Sequence, residues 1–287
     1  MSVFNRCGLA SVDDLNSDEM IRLLAQLEGW QLRLLEHDEQ FRSQDYPWPR
    51  APLYSWSRIW EYPYALAHLE EYRSTYSETV QPSAVDIGSG VTFFPFVMAD
   101  SGFTVTAVDN DPRGQTDYPR AVQALNLPKD TVVFRLADAA ALPFDDHSVD
   151  IVCCISVLEH VQDPISVITE VNRILKSNGL FILTIDLTMD ILAQHALNPS
   201  QYRVLRNEID KHFIAAVPEM TVHPAVMLTE ANSPYSPKIG LSLRMIASSI
   251  KRYFYKMVGY KTIQNPHRTV FGYVGMKREW ESKTLKV

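Results

Sequence analysis

The sequence predicts an α/β domain on a mostly parallel sheet, with helices on both faces. Two observations carry this. Between residues 82 and 186, short β-rich runs alternate with helix-like segments about five times. That is the pattern of a parallel sheet covered on both sides. The first run ends in "VDIGSG" (85–90), an acid followed by two glycines one residue apart. Glycine-rich turns after a strand usually hold a nucleotide.

Taken in order, residues 1–80 read as a helical, aromatic-rich N-terminal cap before the sheet domain of 81–287. In "SDEMIRLLAQLEGWQLRLLEHDEQFRS", Met20, Leu23, Leu27, Trp30 and Leu34 recur at helical spacing. Ser17 suits the N-cap and Glu19 the first turn, while Gly29 argues against one unbroken helix. The next stretch, "DYPWPRAPLYSWSRIWEYPYALAHLEEY", carries Trp56, Trp60, Tyr62 and Tyr64, and its prolines are expected to break it into turns. "SAVDI" is the first strand and "FPFVMADSG" a short helix capped by Gly102. "TVTAVD", "TVVFRLAD" and "VDIVCCIS" are the next three strands, with "TDYPRAVQALNL" a helix after the first of them. Asp163 before Pro164 marks an N-cap, and Ile165, Ile168, Val171, Ile174 and Leu175 make an apolar stripe that Gly179 is expected to stop. "LFILTID" (180–186) is the fifth strand. Beyond it, "NPSQYRVLRNEIDKH" and 241–260 read as helices, and "YKTI" with "TVFGYVGMKRE" as a final strand pair.

Composition narrows the function classes. The chain has 287 residues, 46% hydrophobic, with a net charge of -7. An acidic balance argues against a nucleic-acid partner. No stretch approaches the ~20 apolar residues of a membrane span. Cys7, Cys153 and Cys154 lack metal-site spacing, so no metal is expected and a cytoplasmic, reducing compartment is.

In a parallel sheet, ligands bind outside the carboxyl ends of the strands. Asp86 to Gly90, Asp109 to Asp111, Ala137 to Ala139 and Ser156 to His160 should therefore converge. Asp109 can accept from a ribose hydroxyl pair, as in dinucleotide enzymes. A pyrophosphate, however, prefers a third glycine, and Phe93 stands in that place. Asp86 would add negative charge beside a diphosphate. A cationic ligand with a ribose and no phosphate fits better, which describes S-adenosyl-L-methionine.

Together, "VDIGSG", "VTAVDND", "RLADAAALPFDDHSVDIVCCISVLEHV" and "EVNRILKSNGLFILTID" resemble the class I S-adenosylmethionine-dependent methyltransferases, in particular their small-molecule, type 11-like branch. One departure is Thr92, where many members carry another glycine. The resemblance implies a Rossmann-like, mostly parallel seven-stranded sheet closing in an antiparallel hairpin. It also implies an insert after strand five, at about 187–240, that builds an acceptor pocket. Asp86, Gly88, Ser89 and Gly90 would line the methionine end of the cofactor. Asp109 would hold the ribose, with Asn110 beside the adenine. Asp138 would accept from the adenine amino group, and the Ala139 amide would read a ring nitrogen. Ser156 would sit near the methionine portion.

Such an enzyme moves a methyl group to a small-molecule oxygen or nitrogen by in-line displacement. It needs no metal, because the leaving thioether is neutral. His160 and Asp186 are the candidate bases; Glu159 would orient the cofactor or its loop. His195 and His212 read as surface or packing residues, and the cap aromatics as core or lid. An NAD(P)-dependent reductase and a non-catalytic cofactor-binding module are the alternatives.

Overall fold

A computed structural model describes residues 2–77, 79–189, 195–235 and 268–278. The elements in chain order are β1 (Gly8–Leu9), α1 (Asp18–Glu36), α2 (Asp38–Phe41), α3 (Arg58–Arg73), β2 (Ser83–Ile87), α4 (Phe94–Asp100), β3 (Thr104–Asp109), α5 (Gly114–Ala124), β4 (Val132–Leu136), β5 (Val149–Ile155), α6 (Pro164–Ile174), β6 (Leu175–Leu187), α7 (Pro199–His212), β7 (Phe213–Ala215) and β8 (Thr269–Lys277). The strands form one sheet in the order β1-β8-β6-β5-β2-β3-β4, with β7 also pairing β8. β2 to β6 are mutually parallel, and β8 runs antiparallel to β6. The Rossmann-like fold expected from the sequence is the fold observed, with one strand more than the seven expected.

That additional strand is β1. It pairs with β8 through Gly8 and Leu9, while β7 takes the other half of the same edge at Gly275 to Lys277. Besides β6 and β1, the last strand pairs antiparallel with Phe213–Ala215; "YKTI" and the helix expected at 241–260 lie outside the described residues.

The inner strands β2, β5 and β6 are buried on both sides, so successive residues enter different cores. Cys153 faces a core shared with α1, α3, α4 and α5, and Cys154 faces one shared with α6 and α7. The N-terminal helices therefore make up part of one of the two helical layers. α1 starts where expected: the Ser17 hydroxyl accepts from the Met20 amide at 3.1 Å. It runs unbroken through Gly29.

Two expectations need correction. Pro63 lies inside α3 and does not break it. A proline in a helix costs about 3 kcal/mol. Each buried aromatic of ~150–250 Å² returns roughly 4 kcal/mol or more, and α3 buries Trp60, Tyr62 and Tyr64. The helix is buried nearly all round from Ile59 to Leu69 because it lies between α1 and the sheet. Second, α6 ends at Ile174, before Gly179. Leu175 already pairs with Val149, and the register shifts before Leu180 pairs with Ile151. Asn178 takes a left-handed φ of 62° in this irregular stretch.

Gly272 of β8 shows how closely α3 docks. A Cβ there would lie 2.7 Å from the Tyr64 ring and 2.8 Å from the Trp60 ring. Those rings stack at 4.6 Å, and both are fully buried against Phe4. We expect Gly272→Ala to cost ~1–3 kcal/mol of stability by overpacking. Urea denaturation would report it, and an unchanged midpoint would contradict this packing.

Candidate active site

Parallel β2, β3 and β5 deliver their carboxyl ends to one edge, where the strand order reverses beside β2. A cavity of about 980 Å³ opens there. Its lining includes every site residue expected from the sequence: Asp86, Gly88, Ser89, Gly90, Asp109, Asn110, Asp138, Ala139, Ser156, His160 and Asp186.

The glycine turn is tight because both glycines have positive φ, 66° at Gly88 and 51° at Gly90. A Cβ on Gly88 would strike the Val157 side chain at 2.5 Å. The amides of Gly88 and Ser89 donate to the Val108 carbonyl at 2.8 and 3.2 Å. Asp109 accepts from the Gly90 amide at 2.8 Å and from the Asp111 amide at 2.9 Å. The last residue of β3 thereby fixes the turn after β2. Asp138 is exposed and accepts from the Ala140 amide at 2.9 Å.

Phe93 is buried and lies edge-on to Tyr62, with ring centres 5.1 Å apart. The side chain in the third-glycine place therefore fills the seam between the glycine turn and α3. Asp86 lies beneath the turn, 4% exposed. Burial, reinforced by the charge of Asp109, pushes its carboxyl up to about 8.

The cap supplies much of the remaining wall. The Tyr46 hydroxyl accepts from the Val91 amide at 3.0 Å, and Arg42 donates to the Val91 carbonyl at 2.8 Å. Arg42 is itself held by Asp38 and lies 4.3 Å over the Tyr46 ring. Arg113, after β3, bridges Asp111 and Asp45 at 2.8 and 2.9 Å. Of the four cap aromatics singled out in the sequence, Trp56 and Tyr62 line the cavity. Trp60 and Tyr64 belong to the core, where the Trp60 indole donates to Asp14 at 2.7 Å.

A buried polar cluster closes the end of the cavity near α3. Glu61, fully buried, accepts from the Ser156 hydroxyl at 2.5 Å and the Thr184 hydroxyl at 2.7 Å, and pairs with Arg58. The Ser156 hydroxyl is thus committed to Glu61, and its backbone takes a left-handed φ of 47°. Glu159 accepts from the Asp186 amide at 3.2 Å. Burial pushes Glu159 up to about 7. Burial, and then the charges of Glu61 and Glu159, push Asp186 well above the usual carboxylate range. Sequence reasoning missed Arg58, Glu61 and Thr184. The available signal was a lone acid inside the aromatic run "RIWEYPYALAH".

His160 lies at the rim, its Nδ1 3.0 Å from Nδ1 of His195. Burial and that neighbour lower its pKa. His212 instead bonds Glu208 on α7 at 3.1 Å. Of the described residues in the segment expected to build an acceptor pocket, His195 meets His160 and the Leu197 amide donates to the Asp186 carbonyl at 2.8 Å, while most of the others pack elsewhere. α7 lies on α6, β7 extends the sheet, and Pro218 and Val226 accept from Cys7 and Val12 near β1. Among the described residues, none after Asp186 lines the cavity. No group of three metal-ligating side chains occurs among them, and no helix among them is long and apolar enough to cross a membrane.

Residues 85–183, which span β2 to β6, match the family model of the methyltransferase domain. Over this stretch the chain is similar to a methyltransferase domain. An uncharacterized methyltransferase of Mycobacteroides abscessus is 30% identical over 120 residues, covering 42% of this chain and 46% of that protein. One from Mycobacterium leprae is 34% identical over 118 residues, covering 41% and 42%. The chain thus matches less than half the length of these relatives. Among solved structures, the YcgJ protein of Bacillus subtilis aligns with a TM-score of 0.49 at 16% identity, over 75% of this chain and 99% of its own.

The raised Asp86 sets a pH dependence of stability. Folded, it keeps its proton to about 8; unfolded, it loses it near 3.8. The unfolded chain binds fewer protons across that interval, so stability from this group falls as pH rises from about 4 to about 8. Asp86→Asn removes the contribution. Urea unfolding of the ligand-free proteins should show the variant gaining on the wild type across this window. Parallel curves would contradict the assignment.

Proposed function

We propose that the cavity binds S-adenosyl-L-methionine and that the domain transfers its methyl group to a small-molecule acceptor. The observation that carries this reading is Asp109, held at the end of β3 by the Gly90 and Asp111 amides, with Asp86 buried beneath the same turn. Two carboxyl groups around a glycine turn suit a ribose and a cation. Asp109 opposes a diphosphate, and Phe93 occupies the seam that a third glycine would leave open.

The residues present fit the adenosyl group. Gly88 and Gly90 form a cradle that side chains would fill. Asp109 would hold the ribose hydroxyls, Asn110 and Asp138 with the Ala139 amide would frame the adenine, and Ser89 with Asp86 would face the methionine end. When bound, the cofactor supplies a methyl group on a positively charged sulfur, which departs as a neutral thioether. The chain's part is to align the acceptor, exclude water and take a proton. Alignment can supply up to ~7–11 kcal/mol of the barrier. A positioned base adds roughly 10²–10⁴-fold. His160 and Asp186 are the two proton acceptors we assign on the acceptor side, at the rim and near the buried cluster. The lowered pKa keeps His160 neutral at pH 7 and able to accept.

Hydrogen bonds to a charged acceptor contribute ~1.5–3 kcal/mol, roughly 10–100-fold in affinity. We expect Asp109→Ala to weaken S-adenosylhomocysteine by about that factor in calorimetry, with thermal unfolding confirming the fold. An unchanged dissociation constant in a folded variant would refute the ribose contact.

A further inference from the structure

We propose that the acceptor is a basic amine on an aromatic or apolar body, whose ammonium form is held by Asp186 and whose nitrogen receives the methyl group. The inference rests on the cofactor reading above and names the acceptor of the same site.

Charge balance comes first. Glu61, Glu159 and Asp186 are drawn together from α3, the turn after β5 and the end of β6. Glu61 is satisfied by Ser156, Thr184 and Arg58. The other two are not. Glu159 Oε2 and Asp186 Oδ1 are buried with no donor. Asp186 is only 8% exposed, yet it lines the cavity. Leaving such atoms unpaired costs ~1–3 kcal/mol each. Arg58 and Arg268 are the cations whose fields reach Asp186. Arg58 is committed to Glu61, and Arg268 lies 3.8 Å from Glu230. An incoming ammonium supplies both the missing donor and the missing charge. A hydroxyl would supply a donor alone, and a carboxylate would supply neither.

The walls point the same way. Trp56, Tyr62, Tyr46 and Trp48 line this cavity. Aromatic faces attract cations and offer little to anions. A cavity with aromatic lining and a buried carboxyl group among its lining residues is a setting for a positively charged nitrogen on an apolar body.

The proton has a defined route. With the site empty, burial keeps a proton on the Asp186–Glu159 pair. A bound ammonium displaces that proton to solvent and leaves Asp186 as its carboxylate partner. Asp186 then takes one proton from the nitrogen. The freed lone pair forms the nitrogen–carbon bond while the carbon–sulfur pair stays on sulfur. The product departs as a methylammonium ion, and the positive charge is conserved.

The test uses the full chain and isothermal calorimetry. S-Adenosylhomocysteine is titrated first into the wild type and Asp186→Asn. The loaded proteins then receive phenethylamine, 2-phenylethanol and phenylacetate, which share a body and differ in charge. We expect the wild type to bind the amine at least 10-fold more tightly than the alcohol or the acid. Asp186→Asn should lose that preference while keeping its S-adenosylhomocysteine constant within about two-fold. If Asp186→Asn does not fold, Glu159→Gln should reduce the same preference. Three probes of equal affinity, a preference for the acid, or a preference that survives in a folded Asp186→Asn would each overturn the inference. So would a tenfold loss of S-adenosylhomocysteine affinity in that variant, which would assign the cluster to the cofactor. Failure of S-adenosylhomocysteine to bind the wild type would overturn the cofactor reading, and this inference with it.

Discussion

The carboxylate of Glu61 is buried completely, in a place where an unpaired charge would cost several kcal/mol. It is tolerated because three donors meet it: the guanidinium of Arg58, the hydroxyl of Ser156 after β5, and the hydroxyl of Thr184 within β6. That contact locks α3 onto the carboxyl ends of two parallel strands. Several other features follow from it. Trp56 and Tyr62, flanking Arg58 and Glu61, become cavity wall rather than surface. Ser156 is held in a backbone conformation that a serine seldom adopts. Asp186, two residues beyond Thr184 and therefore on the same side of β6, is brought into a crowded acidic environment.

The sheet domain consequently does not form its cavity alone. Its strand ends supply the glycine turn, Asp109 and Asp138. The residues before β2 supply the opposing wall, grip the turn itself through Tyr46 and Arg42 on Val91, and hold the loop after β3 through the Arg113–Asp45 pair. The N-terminal segment is anchored in turn by β1 on the edge of β8 and by Asp14, which accepts from the Trp60 indole and pairs with Arg6. The proposed cofactor and acceptor sides are thus two ends of one space, and the same helix lines it.

Much of this was legible in the sequence where a rule is local. The five parallel strands declared themselves because each is an apolar run followed by turn residues. Ser17 and Asp163 cap helices through their own side chains, so they could be read in place. Asp86 and Asp109 could be located because a strand end fixes where an acid must lie. Longer-range features were illegible. β1 is two residues long and has no periodicity; only its pairing with Gly272 and Phe271 makes it a strand. Pro63 argues locally for a break, and only burial on all sides overrules it. The early start of β6 depends on a register shift against β5. Glu61 meets residues 95 and 123 positions away, a contact that no local pattern encodes.

The account stands on the cavity at the strand ends accepting an adenosyl sulfonium rather than a diphosphate. A crystal structure of the chain grown with saturating S-adenosyl-L-methionine tests this most directly. It should show the ribose hydroxyls on Asp109, the adenine beside Asp138, and the methyl group directed toward the end bounded by Asp186 and Tyr62. An empty cavity under those conditions, or a pyrophosphate-bearing nucleotide seated on the glycine turn in a parallel soak, would contradict it.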